Sequence, residues 1–109
     1  MKELTPAQYR ERWSEDDERE GRVVLIDVRE AHELEVSRLP NAVHMPMGEV
    51  PGRVSELDRN RPLVVLCRSG GRSGQIVQYL QQQGFEDIYN LAGGINEWAE
   101  TLDPSLTVY

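Results

Sequence analysis

Two short apolar runs, Val23-Val24-Leu25-Ile26 and Leu63-Val64-Val65-Leu66, contain no polar residue at alternate positions. A strand with one face in water alternates; a strand that does not alternate has to be covered on both faces, as in a parallel sheet between layers of helix. Val43 to Met45, bounded by Pro40 and Pro46, and Ile88 to Leu91, following the helix stop Gly84, are further strand candidates, and Lys2 to Leu4 suits a short edge strand. Helical patterns alternate with these strands, so the expected class is α/β, with an open, mostly parallel twisted sheet flanked by helices on both faces. A length of 109 residues with 39% hydrophobic content suits one domain, residues 1–109, around a single core.

Thr5-Pro6-Ala7-Gln8 supplies an N-cap, a proline at the first helical position and a capping-box glutamine, so a helix is predicted to start there. Tyr9 and Trp13 fall four apart on one face as core anchors, and the acidic run Glu15 to Glu20 with Gly21 is expected to end the segment in solvent. Ser73 to Gln83 keeps Ile76, Val77 and Leu80 on one side, while Val50, Val54 and Leu57 mark a shorter amphipathic piece.

The only cysteine, Cys67, stands where the second apolar run ends and the turn Arg68-Ser69-Gly70-Gly71-Arg72-Ser73 begins. If the strand stops at Cys67 and a helix starts near Arg72, free backbone N–H groups and the positive helix end face the sulfur and favour thiolate over thiol. Arg68 and Arg72 add planar cations that fit oxyanions, and Gly70 and Gly71 permit backbone angles that side chains resist. In open α/β sheets ligands sit beyond the carboxyl ends of the strands, which is where Cys67 is expected. The pattern reads as an anion cradle around a nucleophile.

A formal charge of -7 opposes binding to nucleic acid or anionic membranes. One cysteine excludes an internal disulfide or a C-x-x-C pair, which leaves single-cysteine transfer and suits a reducing compartment. The start of the chain lacks the apolar core of a signal peptide, so cytoplasmic residence is expected. His32, His44 and Cys67 match no common zinc spacing, and neither metal nor cofactor is expected.

Four stretches in order resemble the rhodanese family of sulfurtransferases in its single-domain form. They are Asp27 to Glu30 with His32-Glu33, Arg38 to Pro46, the loop Cys67 to Ser73, and Leu91 to Trp98. Ser37-Arg38-Leu39 and Ala31 depart from the Gly-His-Ile and proline that relatives often carry. The resemblance implies a rhodanese-like sheet in which Cys67 carries sulfur as a persulfide and Arg68, Ser69, Gly70, Gly71, Arg72 and Ser73 form the loop that cups it. Asp27, Arg29 and Glu33 are expected to pin the loop after the first buried strand by ion pairs. Gly93 and Gly94 are expected to allow close backbone approach beneath the active loop, with Trp98 filling the core beside them.

The implied activity moves sulfane sulfur from a small-molecule donor such as thiosulfate to a thiophilic acceptor, cyanide or a thiol. An alternative from another class is a persulfide carrier or interaction module that loads a protein sulfur acceptor without small-molecule turnover. A cysteine phosphatase or arsenate reductase also places Cys at a strand end and Arg at a helix start. Four residues separate Cys67 from Arg72, one fewer than in a phosphatase-type C-x-x-x-x-x-R loop, and the tighter ring suits one sulfur atom better than a tetrahedral phosphate.

Overall fold

The computed structural model describes residues 1–109 and places five parallel strands in one sheet. In chain order the strands are β1 (Glu3–Leu4), β2 (Val24–Asp27), β3 (Val43–His44), β4 (Leu63–Leu66) and β5 (Ile88–Leu91); across the sheet they run β1-β5-β4-β2-β3. The helices are α1 (Pro6–Arg12), α2 (Glu15–Arg19), α3 (Ala31–Leu34), α4 (Gly71–Gln82) and α5 (Gly94–Thr101). None is long and apolar enough to cross a membrane.

The unalternating runs are explained by β4, which lies at the centre with all four residues buried. Leu63, Val65 and Cys67 point into a core that α4 closes with Ile76, Val77 and Leu80. Val64 and Leu66 point the other way, into a core built by Tyr9, Ile95 and Trp98. Each face of the strand therefore meets a helical layer, and a polar residue at any of its four positions would be stranded in apolar surroundings. There are accordingly two core layers, one on each side of the sheet, where a single core was expected.

Chain direction across the sheet fixes where a ligand can sit. After β2 the chain moves outward to β3; after β4 it moves the opposite way to β5. The two connections diverge and leave a crevice between the carboxyl ends of β2 and β4, the position where open α/β sheets hold ligands. Asp27 is registered with Leu66, so the segments that begin at Val28 and Cys67 emerge side by side.

Two helical expectations are corrected. The first helix stops at Arg12, because Ser14 caps a separate helix α2 through a capping box with Asp17. The acidic run also does not end wholly in solvent: the Glu18 side chain, 4% exposed, accepts from Tyr9 Oη at 2.7 Å and from Asn41 Nδ2 at 3.0 Å. The amphipathic piece around Val50 and Val54 forms 3₁₀ turns, Met47–Glu49 and Pro51–Glu56, in place of an α-helix.

Candidate active site

Cys67 directly follows β4, and α4 begins four residues later. The residue is 1% exposed. Its Sγ accepts the Gly70 N–H at 3.1 Å and lies 3.3 Å from Ser73 Oγ. Burial pushes the thiol pKa up, but the Ser73 hydroxyl and the backbone N–H groups of Ser73, Gly70 and Ser69 outweigh it, so the thiol is more acidic than usual. The loop brings hydrogen bonds from its own backbone onto the sulfur at the amino end of α4.

Of the paired glycines only the first is conformationally required. Gly70 has φ +111° and turns the chain so that its N–H points at the sulfur. Gly71 has a negative φ and open space where a side chain would sit, which corrects the expectation that both glycines meet a backbone demand.

Gly94 supports the loop from below. A Cβ there would lie 2.4 Å from the Arg68 carbonyl oxygen and 2.5 Å from that of Cys67. The close approach lets the amino end of α5 donate to the loop, Ile95 N–H to Cys67 O at 2.9 Å and Asn96 N–H to Arg68 O at 3.2 Å. Trp98 packs in the core just beyond, its ring centroid 5.6 Å from that of Tyr9.

The segment after β2 forms the facing wall. Arg29 is fully buried and grips the Asp27 carboxylate through Nε at 3.0 Å and Nη2 at 2.7 Å. Two of its remaining donors go to the carbonyl oxygens of Glu33 at 3.2 Å and Ser37 at 2.8 Å. A buried guanidinium tied this way pins the chain from Val28 to Ser37. His44 Nε2 lies 2.7 Å from the Arg29 carbonyl oxygen, on the same wall. The Glu33 carboxylate leaves this network and crosses the crevice to Arg72, with Nη1···Oε2 at 2.7 Å and Nη2···Oε1 at 2.8 Å. Arg72 holds Glu33 well below the usual carboxylate range, and Glu33 in turn raises Arg72. The fork expected to face an oxyanion is therefore bidentate to Glu33, and it ties the Cys67 loop to the facing wall. Arg68 is exposed and pairs with no carboxylate; its guanidinium carbon lies 5.1 Å from the centroid of the Tyr109 ring.

Two further residues shape the site. Asn90, on β5, donates through Nδ2 to Glu3 Oε2 at 3.0 Å and to Gly70 O at 3.1 Å, which leaves Oδ1 to accept from Ser73 Oγ at 2.5 Å. The Ser73 hydroxyl has one proton to share between Asn90 and Cys67, so the uncontested Gly70 N–H is the firmer support of a thiolate. Tyr109 donates its phenol to Glu33 Oε1 at 2.8 Å and accepts from Arg29 Nη1 at 3.0 Å. Asn90 had a faint signal, a polar residue inside an apolar strand; Tyr109 had none.

The rhodanese-like domain model matches residues 7–101. A sulfurtransferase of Allochromatium vinosum is 44% identical over 77 residues, covering 71% of this chain and 72% of the relative. The thiosulfate sulfurtransferase GlpE of Pseudomonas savastanoi pv. phaseolicola is 36% identical over 83 residues, covering 76% of this chain and 78% of the relative. Among solved structures, a rhodanese-related protein from Thermoplasma volcanium superposes with a TM-score of 0.78 at 26% identity, covering 100% of this chain and 98% of the other. A parallel five-stranded sheet, a loop that turns its amides onto a cysteine at the switch point, and a family match over nearly all of the chain agree: this protein belongs to the rhodanese-like family.

Proposed function

We propose that the protein is a sulfurtransferase in which Cys67 carries sulfane sulfur as a persulfide. The observation that carries the reading is the Gly70 N–H held 3.1 Å from Sγ at the start of α4, a donor aimed at a sulfur anion. The Cys67 thiolate attacks the outer sulfur of a donor such as thiosulfate. A bond forms between Sγ and that sulfur, the donor's sulfur–sulfur bond breaks, and sulfite leaves with the electron pair. An acceptor, cyanide or the thiolate of a small molecule or protein, then takes the outer sulfur and restores the Cys67 thiolate. The amides of Ser69, Gly70 and Ser73 stabilise whichever sulfur bears the charge. The unpaired Arg68 favours anionic donors. Four residues between Cys67 and Arg72 make a tighter ring than a phosphatase-type loop, which suits one sulfur atom better than a tetrahedral phosphate.

Intact mass after exposure to thiosulfate tests this. The wild type gains one sulfur atom that a reductant removes, and Cys67→Ser gains none; a wild type that gains no sulfur contradicts the proposal. With cyanide as acceptor, steady-state rates follow ping-pong kinetics. Arg68→Ala raises KM for thiosulfate more than for an uncharged donor, and equal losses for both would remove Arg68 from donor binding.

A further inference from the structure

Cys67 is 1% exposed, so a donor can reach Sγ only if some part of the site moves. Residues 107–109 carry no regular secondary structure, and they hold Tyr109 against the residues that a donor needs. Its main-chain N–H donates to Asn96 Oδ1 and its carbonyl accepts from Asn96 Nδ2, each at 3.2 Å. Asn96 is also the residue whose N–H supports the Arg68 carbonyl. The phenol sits between Glu33 and Arg29 at 2.8 and 3.0 Å, and the ring covers the guanidinium of Arg68, the one cation beside Cys67 without a carboxylate. Tyr109 thus engages Arg68 directly and Arg72 through Glu33, the two cations that flank the loop. The phenol is a neutral group whose pKa burial raises further, so it can give one hydrogen bond and take one without repelling Glu33.

We propose that Tyr109 is a specificity-determining residue, whose phenol ring occupies the face of Arg68 until an anionic sulfur donor displaces it and takes its place. A donor that pairs with Arg68 replaces a neutral ring by a full charge, whereas an uncharged donor has nothing to offer in exchange. The ring therefore masks Arg68: an anionic reagent has to displace it to reach that charge, a neutral reagent of similar size does not, and without the ring the preference of the site for anions rises. This inference rests on Cys67 being the nucleophile of the proposed function.

The test uses alkylation of Cys67 in the full chain by iodoacetate, an anion, and by iodoacetamide, its neutral counterpart. Tyr109→Ala speeds both reactions, and speeds iodoacetate more, raising the ratio of the two rates by roughly tenfold, equivalent to ~1.4 kcal/mol. Tyr109→Phe keeps the ring over Arg68 and raises the ratio less. An unchanged ratio in Tyr109→Ala overturns the proposal, as does a rise in Tyr109→Phe equal to that in alanine. A loosened fold would open the thiol to both reagents alike, so the ratio separates specific uncovering from unfolding. Alkylation requires no sulfur transfer: a shifted ratio in a protein that thiosulfate cannot load supports the role of Tyr109 and contradicts the sulfurtransferase reading.

Discussion

At the scale of single residues, the loop around Cys67 separates glycines that geometry demands from one that it does not. Gly94→Ala would place a Cβ inside the carbonyl groups of Cys67 and Arg68 and force φ +61° on a side chain. Strain and overpacking together should cost about 2–5 kcal/mol. Gly71→Ala meets open space in an ordinary helical conformation and should stabilise α4 by about 0.5 kcal/mol. Denaturant titration of the two variants checks the opposite signs. Ser37 gives a third case. It is 6% exposed and its hydroxyl finds no hydrogen-bond partner. Ser37→Ala removes a desolvated group that gains nothing from the fold, and unfolding should become about 1 kcal/mol more costly, read by the same titration.

At the scale of elements, the site is a junction between the segment after β2 and the segment after β4, clasped by Glu33 and Arg72. Glu33→Gln removes a part-buried bidentate ion pair and should destabilise the protein by about 2 kcal/mol at neutral pH. The pH dependence has a definite sign. The Glu33 carboxyl is more acidic in the folded protein than in the unfolded chain, so its contribution is fully present above the unfolded value of about 4.3 and is lost as pH falls below it. Acid unfolding of Glu33→Gln should therefore be less steep in that range than that of the wild type. Much of this junction is legible in the order of residues. The apolar run ending at Cys67, the capping signal at Thr5 and the triplet Asp27, Arg29 and Glu33 each point to the element where the structure places them. The pairing of Glu33 with Arg72 is not legible, because both Arg29 and Arg72 can satisfy a carboxylate and only the crossing of two loops decides between them. The break at Ser14 was hidden for a local reason: a serine followed three residues later by aspartate caps a new helix as readily as it sits at the exposed end of an old one. Tyr109 lay out of reach because it meets Glu33 across 76 residues of chain, through tertiary contacts that no local pattern announces.

At the scale of the whole molecule, the two cores share β4 and so should melt together. Leu63→Ala and Leu66→Ala lie on opposite faces of the strand. Each should cost about 2–5 kcal/mol and move one calorimetric transition without splitting it. The same central strand delivers Cys67 to the crevice, where α4 supplies amides, α5 supports the loop from below, β5 orients Ser73 through Asn90, and the wall after β2 holds Arg72. This convergence makes a buried thiol more acidic than usual in a chain of net charge -7. The decisive measurement is the ionisation of Cys67 itself, followed by thiolate absorbance against pH with Cys67→Ser as the blank. The account predicts a midpoint below the ordinary thiol value of about 8.5, rising in Ser73→Ala; a midpoint at or above that value in the wild type would contradict it.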